Sequence, residues 1–133
     1  MTEAETGEEL SRLLSRPSWE VAPLLLGWHF ETRIDGIPTA IALTEVEAYD
    51  QTDPASHSYG GETRRTRPMF GPPGYLYVYR SYGIHWCANI VTGPSGHGAA
   101  VLLRGGRAVT GQVTMARRRG RADHLADGPG KLT

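Results

Sequence analysis

The chain has one cysteine, one lysine and no long apolar run. Cys87 has no partner, so no internal disulfide can form. The start, MTEAETGEEL, is acidic, the wrong chemistry for a secretion signal, and a reducing cytoplasmic setting is expected. No apolar run approaches ~18 residues, so no membrane span is expected. A lone lysine, Lys131, supplies Schiff-base chemistry poorly. A single thiol also rules out a zinc deaminase, whose His-x-Glu must be followed by a pair of cysteines; HFE at 29–31 matches the first half alone. There is no zinc-spaced Cys/His cluster, no acidic calcium loop, no P-loop and no G-x-S-x-G elbow. No metal or cofactor is expected.

What is present is unevenly spread. The formal charge is zero, but residues 1–63 carry twelve acids and three bases, whereas residues 64–133 carry two acids and eleven bases. Such halves can pair with each other, or they can leave a basic face. Thirteen of the fourteen bases are arginine, which suits bidentate phosphate contacts and stacking on bases. Seventeen glycines and nine prolines imply many turns and few long helices. At 133 residues a single domain is expected.

Residues 1–16 read as a polar segment with one amphipathic stretch, ELSRLL. RPSWEVAPLLLG reads as a second helix, with Ser18 as its cap and Gly27 as its end. Trp28, Phe30, Thr32 and Ile34 alternate with polar neighbours, and Asp35-Gly36 signals a hairpin. The returning strand, AIALTEVEAY, starts apolar and places Glu45, Glu47 and Tyr49 on one parity near its end. A long irregular segment, DQTDPASHSYGGETRRTRPMFGPPG, then carries His57 and the arginines Arg64, Arg65 and Arg67.

The stretch YLYVYRSYGIHWCANIV holds five of the eleven aromatic residues. A loop at Ser81-Tyr82-Gly83 predicts pairing of Tyr79 with His85 and of Tyr75 with Asn89. That register puts Asn89 on the tyrosine face, Trp86 and Ile90 on the other, and Tyr82 at the tip beside Arg80. AAVLLRG reads as a short buried strand ending in Arg104. Taken singly, a tyrosine is more often core and a loop histidine more often surface. Together, one carboxylate, three rings and an arginine make a more specific constellation.

At these residues the sequence resembles a known family. EVEAY, ASHSYGG, RTRPMFGPPGYLYVYRSYG, CANIV and VLLRG fall in the order and spacing of the alkyladenine (3-methyladenine) DNA glycosylases, from about Pro17 onward. The resemblance implies an α+β fold: one compact mixed domain around a curved antiparallel β-sheet, akin to the C-terminal domain of formyltransferases. It divides the chain into a polar segment, 1–16, and a glycosylase domain, 17–133, in which GPGKLT stands where the family continues into further helices and strands. The domain is therefore expected to be C-terminally incomplete.

The implied roles are specific. Glu47 is the general base, and Arg104 helps hold the attacking water. Tyr49, His57 and Tyr79 sandwich a flipped base, and Asn89 discriminates against the exocyclic amine of guanine. Tyr82 fills the gap left in the duplex. Arg64, Arg65, Arg67 and Arg80 are candidate phosphate contacts. The implied activity is monofunctional removal of alkylated or deaminated purines from double-stranded DNA, by a monomer without cofactor, in the cytoplasm or at a bacterial nucleoid. The alternatives are a catalytically inactive DNA-binding remnant and, more weakly, a tRNA-binding domain.

Overall fold

The computed structural model describes residues 2–81 and 85–133, with the side chains of residues 3–5 and 131 left aside. Two helices, α1 (Glu3–Leu14) and α2 (Ser18–Leu25), precede the hairpin β1 (His29–Ile34) and β2 (Ile37–Asp50). A loop with a short 3-10 turn (Arg67–Phe70) leads to β3 (Leu76–Ser81), β4 (His85–Val91) and β5 (Ala99–Thr110). Helices α3 (Gln112–Arg119) and α4 (Pro129–Leu132) follow. The five strands form one antiparallel sheet in the order β1-β2-β5-β4-β3. It curls enough that Phe30 and Ile34 of one edge strand line the same groove, of about 400 Å³, as Leu76 and Val78 of the other.

Local chemistry accounts for much of this. Asp35 and Gly36 both have positive φ, 54° and 76°, as a two-residue type I′ turn requires. In α2, Ser18, Val21, Ala22 and Leu25 are buried, the spacing of one helical face. Pro23 lies on its exposed side and cannot donate to the carbonyl one turn back; the helix ends two residues later.

The sheet has two faces with different contents. One packs against α1 and α2 through Leu14, Val21, Leu25, Ile41, Leu43, Val101 and Leu103. The other carries a smaller cluster of Met69, Tyr77, Val91 and Ala100, roofed by the loop before β3. A pair of bulges decides which residues of β2 reach which face. The register steps from Leu43↔Gly106 to Glu45↔Gly105 and then to Val46↔Leu103, so Thr44 is extra in β2 and Arg104 is extra in β5. Each bulge inverts the alternation of its own strand. Before it, Ile41 and Leu43 enter the larger core; beyond it, Val46 and Ala48 do so. Glu45, Glu47 and Tyr49 therefore face away from that core, on the second face.

Four sequence expectations are corrected here. The β3–β4 register pairs Tyr79 with Cys87 and Tyr77 with Asn89, two residues from the expected pairing, and Ser81 belongs to β3 opposite His85. Ser18 is not a cap: it is the first helical residue, and its buried hydroxyl has no hydrogen-bond partner. β5 does not stop at Arg104 but runs to Thr110, because its second half pairs with the apolar start of β2. Tyr75, expected in the strand opposite Asn89, lies outside β3 and is 66% exposed.

Candidate active site

The register of the sheet sets up one row of side chains. Glu47 on β2 pairs with Leu102 on β5, Leu102 with Asn89 on β4, and Asn89 with Tyr77 on β3. Directly paired residues share a face, so all four lie on the second face. At ~4.8 Å per strand, Glu47 and Asn89 are about 10 Å apart across the sheet.

At the β2 end, Glu47 is half-buried and held at both carboxylate oxygens. Tyr49 Oη donates to Oε1 at 2.9 Å, and Arg104 Nη1 donates to Oε2 at 2.8 Å. Arg104 is itself held by Glu45, through Nε to Oε1 at 3.0 Å. Burial, then the hydrogen bond to Glu47 and its charge, push the Tyr49 hydroxyl up to about 12, so it stays a donor at neutral pH. The bonds to Glu47 and Glu45 hold Arg104 more firmly protonated than usual.

At the β3 end is a cluster of rings. Tyr79 and His57 touch, with centroids 4.3 Å apart, and Tyr77 lies 5.5 Å from Tyr79. His57 Nδ1 and the Tyr77 hydroxyl are 3.3 Å apart, either donating according to the tautomer. Burial, and then the charge of Arg65, lower the His57 pKa and favour the neutral ring. Burial, followed by Cys87, Tyr49 and Tyr77, pushes Tyr79 up to about 12. Asn89 is buried between the two ends, and its Nδ2 donates to the Tyr77 carbonyl at 3.1 Å.

His57, itself exposed, is held at this place because its neighbours are buried and fastened. Ser58 is fully buried; its hydroxyl donates to the Gly98 carbonyl at 2.8 Å and is 2.7 Å from that of Ser56. The Gly98 N–H donates to Gln51 Oε1 at 2.7 Å, and His97 meets Asp50 at 2.6 Å. These contacts tie the loop after β2 to the loop before β5.

The structure therefore brings Glu47, Arg104, Tyr49, His57, Tyr79 and Asn89 onto one face. Sequence reasoning did not assign Glu45, although it shares the parity of Glu47, nor did it place Tyr77 in the site. No local signal marks Ser58 or Gly98. Tyr82 lies outside the described residues. Arg65 flanks the rings, its guanidinium 5.9 Å from the Tyr79 centroid and its Nη2 donating to the Arg80 carbonyl at 3.3 Å. Arg80 lies over Trp86 at 5.7 Å, Arg67 pairs loosely with Glu62 at 3.9 Å, and Arg64 is exposed. Among the described residues no helix is long and apolar enough to cross a membrane.

Comparison with known proteins places the chain among relatives. A relative from Rhodopseudomonas palustris (strain BisB5) is 51% identical over 133 residues, 98% of this chain and 64% of its own length. One from Cutibacterium acnes is 52% identical over 122 residues, 90% of this chain and 62% of its own length. One from Methanoculleus marisnigri is 52% identical over 120 residues, 89% of this chain and 62% of its own length. Each is named, provisionally, a 3-methyladenine DNA glycosylase. The chain spans under two thirds of the length of these relatives. The methylpurine-DNA glycosylase family profile matches residues 12–133, a span that includes every residue of the carboxylate-and-ring face, and the chain belongs to that family.

Proposed function

We propose that the chain carries the chemistry of a monofunctional DNA glycosylase, which hydrolyses the N-glycosidic bond of an alkylated or deaminated purine swung out of duplex DNA. The observation that carries this reading is the shared face: a carboxylate pinned by Arg104 and Tyr49, in one row with Asn89 and Tyr77, with the His57 and Tyr79 rings clustered beside Tyr77.

Extruding a nucleotide costs a few kcal/mol of stacking and pairing. Rings that stack on the extruded base return about 1–3 kcal/mol each. A positively charged alkylpurine gains further from electron-rich tyrosine faces. His57 and Tyr79 lie in mutual contact, whereas a base sandwiched between two rings needs them roughly 7 Å apart, twice a carbon contact distance. The pair must therefore part by about 3 Å to hold a base between them. Ser56 and Ser58 fasten the backbone on either side of His57, so this opening falls to the exposed His57 ring.

The bond then breaks with its electron pair leaving on the base, and a water oxygen bonds to the cation-like sugar carbon. Glu47 stabilises that carbon and takes the proton of the water. Each of its oxygens keeps a lone pair after binding Tyr49 and Arg104. General base catalysis of this kind contributes about 10²–10⁴ in rate. The product is an abasic site. Strand cutting needs an amine nucleophile, which a chain with one lysine supplies poorly. Arg64, Arg65, Arg67 and Arg80 are the proposed phosphate contacts, and Tyr82 the side chain that fills the vacated stack. The chain is proposed to act as a monomer.

The test is incubation with a duplex containing hypoxanthine or ethenoadenine, followed by alkali. Alkali-dependent cleavage that disappears in Glu47→Gln supports the reading. Binding without cleavage, equal in Glu47→Gln, would instead assign the chain as a non-hydrolytic DNA binder.

A further inference from the structure

The family resemblance implies a stacking role for the ring of Tyr49. Its hydroxyl has a separate partner. Residues 47 and 49 are two apart on one strand, so their side chains stand on the same face about 6.7 Å apart at the backbone. The Tyr49 hydroxyl closes that gap and donates to Glu47 Oε1 at 2.9 Å. Arg104 reaches the other oxygen from the neighbouring strand at 2.8 Å. The terminal torsion of a glutamate is soft, and a carboxylate held at one oxygen can still swing about that contact. Two donors at opposite oxygens, from two strands, fix its plane.

We infer that Tyr49 is a positioning residue for Glu47: its hydroxyl orients the carboxylate, separately from any contact of its ring with a base. The inference rests on the reading of Glu47 as general base. A base must present a lone pair within about 2.6–3.2 Å of the proton it removes. Freeing one oxygen lets the carboxylate sample orientations in which it does not. At neutral pH the Tyr49 hydroxyl keeps its proton, so the donor is present whenever Glu47 is ionised.

Tyr49→Phe separates the two roles, since it keeps the ring and removes the hydroxyl. In single-turnover excision of hypoxanthine from a duplex, the saturating rate should fall on the order of tenfold, from loss of a hydrogen bond to a charged group. The half-saturating protein concentration should stay within twofold. Tyr49→Leu, which removes the ring as well, should also raise the half-saturating concentration. A packing role alone would not split the two constants this way. A second readout needs no turnover: in protein carrying ¹³Cζ-tyrosine, the Tyr49 resonance at neutral pH should move in Glu47→Gln, because its acceptor is no longer ionised.

Tyr49→Phe at the wild-type rate, or a Tyr49 resonance unmoved by Glu47→Gln, overturns the inference. If wild-type protein yields no abasic product, the glycosylase reading fails on its own, and the resonance alone decides whether the hydroxyl holds the carboxylate.

Discussion

Gly98→Ala should unsettle the roof of the site from a distance. Gly98 precedes β5 and does not have positive φ, so its need for glycine is one of space. A Cβ there would lie 2.6 Å from Phe70 Cζ, 2.7 Å from Ser58 Cβ and 2.9 Å from Phe70 Cε1. Carbon contacts are at their optimum near 3.5–4.0 Å, so each neighbour has to retreat by roughly 1 Å. Ser58 is not free to do so: it is fully buried and bonded to the Gly98 carbonyl and to Ser56. Overpacking of this kind costs about 1–3 kcal/mol, and strain on the Ser58 hydrogen bond places it toward the upper end. The assay is urea unfolding followed by circular dichroism. The control is Gly60→Ala, two residues from Ser58, where an added Cβ meets nothing within 4 Å and φ is not positive. It should be neutral or should stabilise by about 0.4–1 kcal/mol through the unfolded state. Gly98→Ala within about 0.5 kcal/mol of wild type, the range of ordinary surface changes, would refute the reasoning.

The other predictions concern charge. Burial and Arg65 lower the His57 pKa in the folded state, so below its ordinary value of about 6.5 the unfolded chain binds that proton first, and stability falls with acid until the folded form is protonated too. The urea midpoint should therefore drop from pH 7.5 to pH 5.5, and drop less in His57→Gln; equal drops would count against the neutral ring. Exposed Arg64 and Arg67 are proposed phosphate contacts, so each change to Gln should lessen the salt slope of undamaged duplex binding by about 1. A slope unchanged in both, measured by fluorescence anisotropy, would remove them from the interface.

Much of the fold was legible because its signals are local. Asp35-Gly36 specifies its own turn, the acids of β2 announce a common parity, and the loop after Asp50 advertises itself by composition. The misses involve partners far away in sequence. A two-residue slip of the β3–β4 pairing leaves every side chain on its own face, so alternation alone could not separate the two registers. The length of β5 depends on a partner some sixty residues upstream. Ser18 looks like a cap because of its chemistry, yet its place on the buried face of α2 outweighed that preference. The site was legible as a list of residues but not as an arrangement. Nothing local says that His57 rests against Tyr79, or that a serine and a glycine forty residues apart fasten the loop that brings it there.

The two bulges make the protein's chemistry sensitive to the counting of residues rather than to their identity. Deleting Thr44 would turn Val46 and Ala48 outward and drive Glu45, Glu47 and Tyr49 toward the aliphatic interior, or else shear the strand against its neighbour. Substituting Thr44, an exposed residue, changes neither count nor phase. Around this position the chain should tolerate many different letters and no missing one.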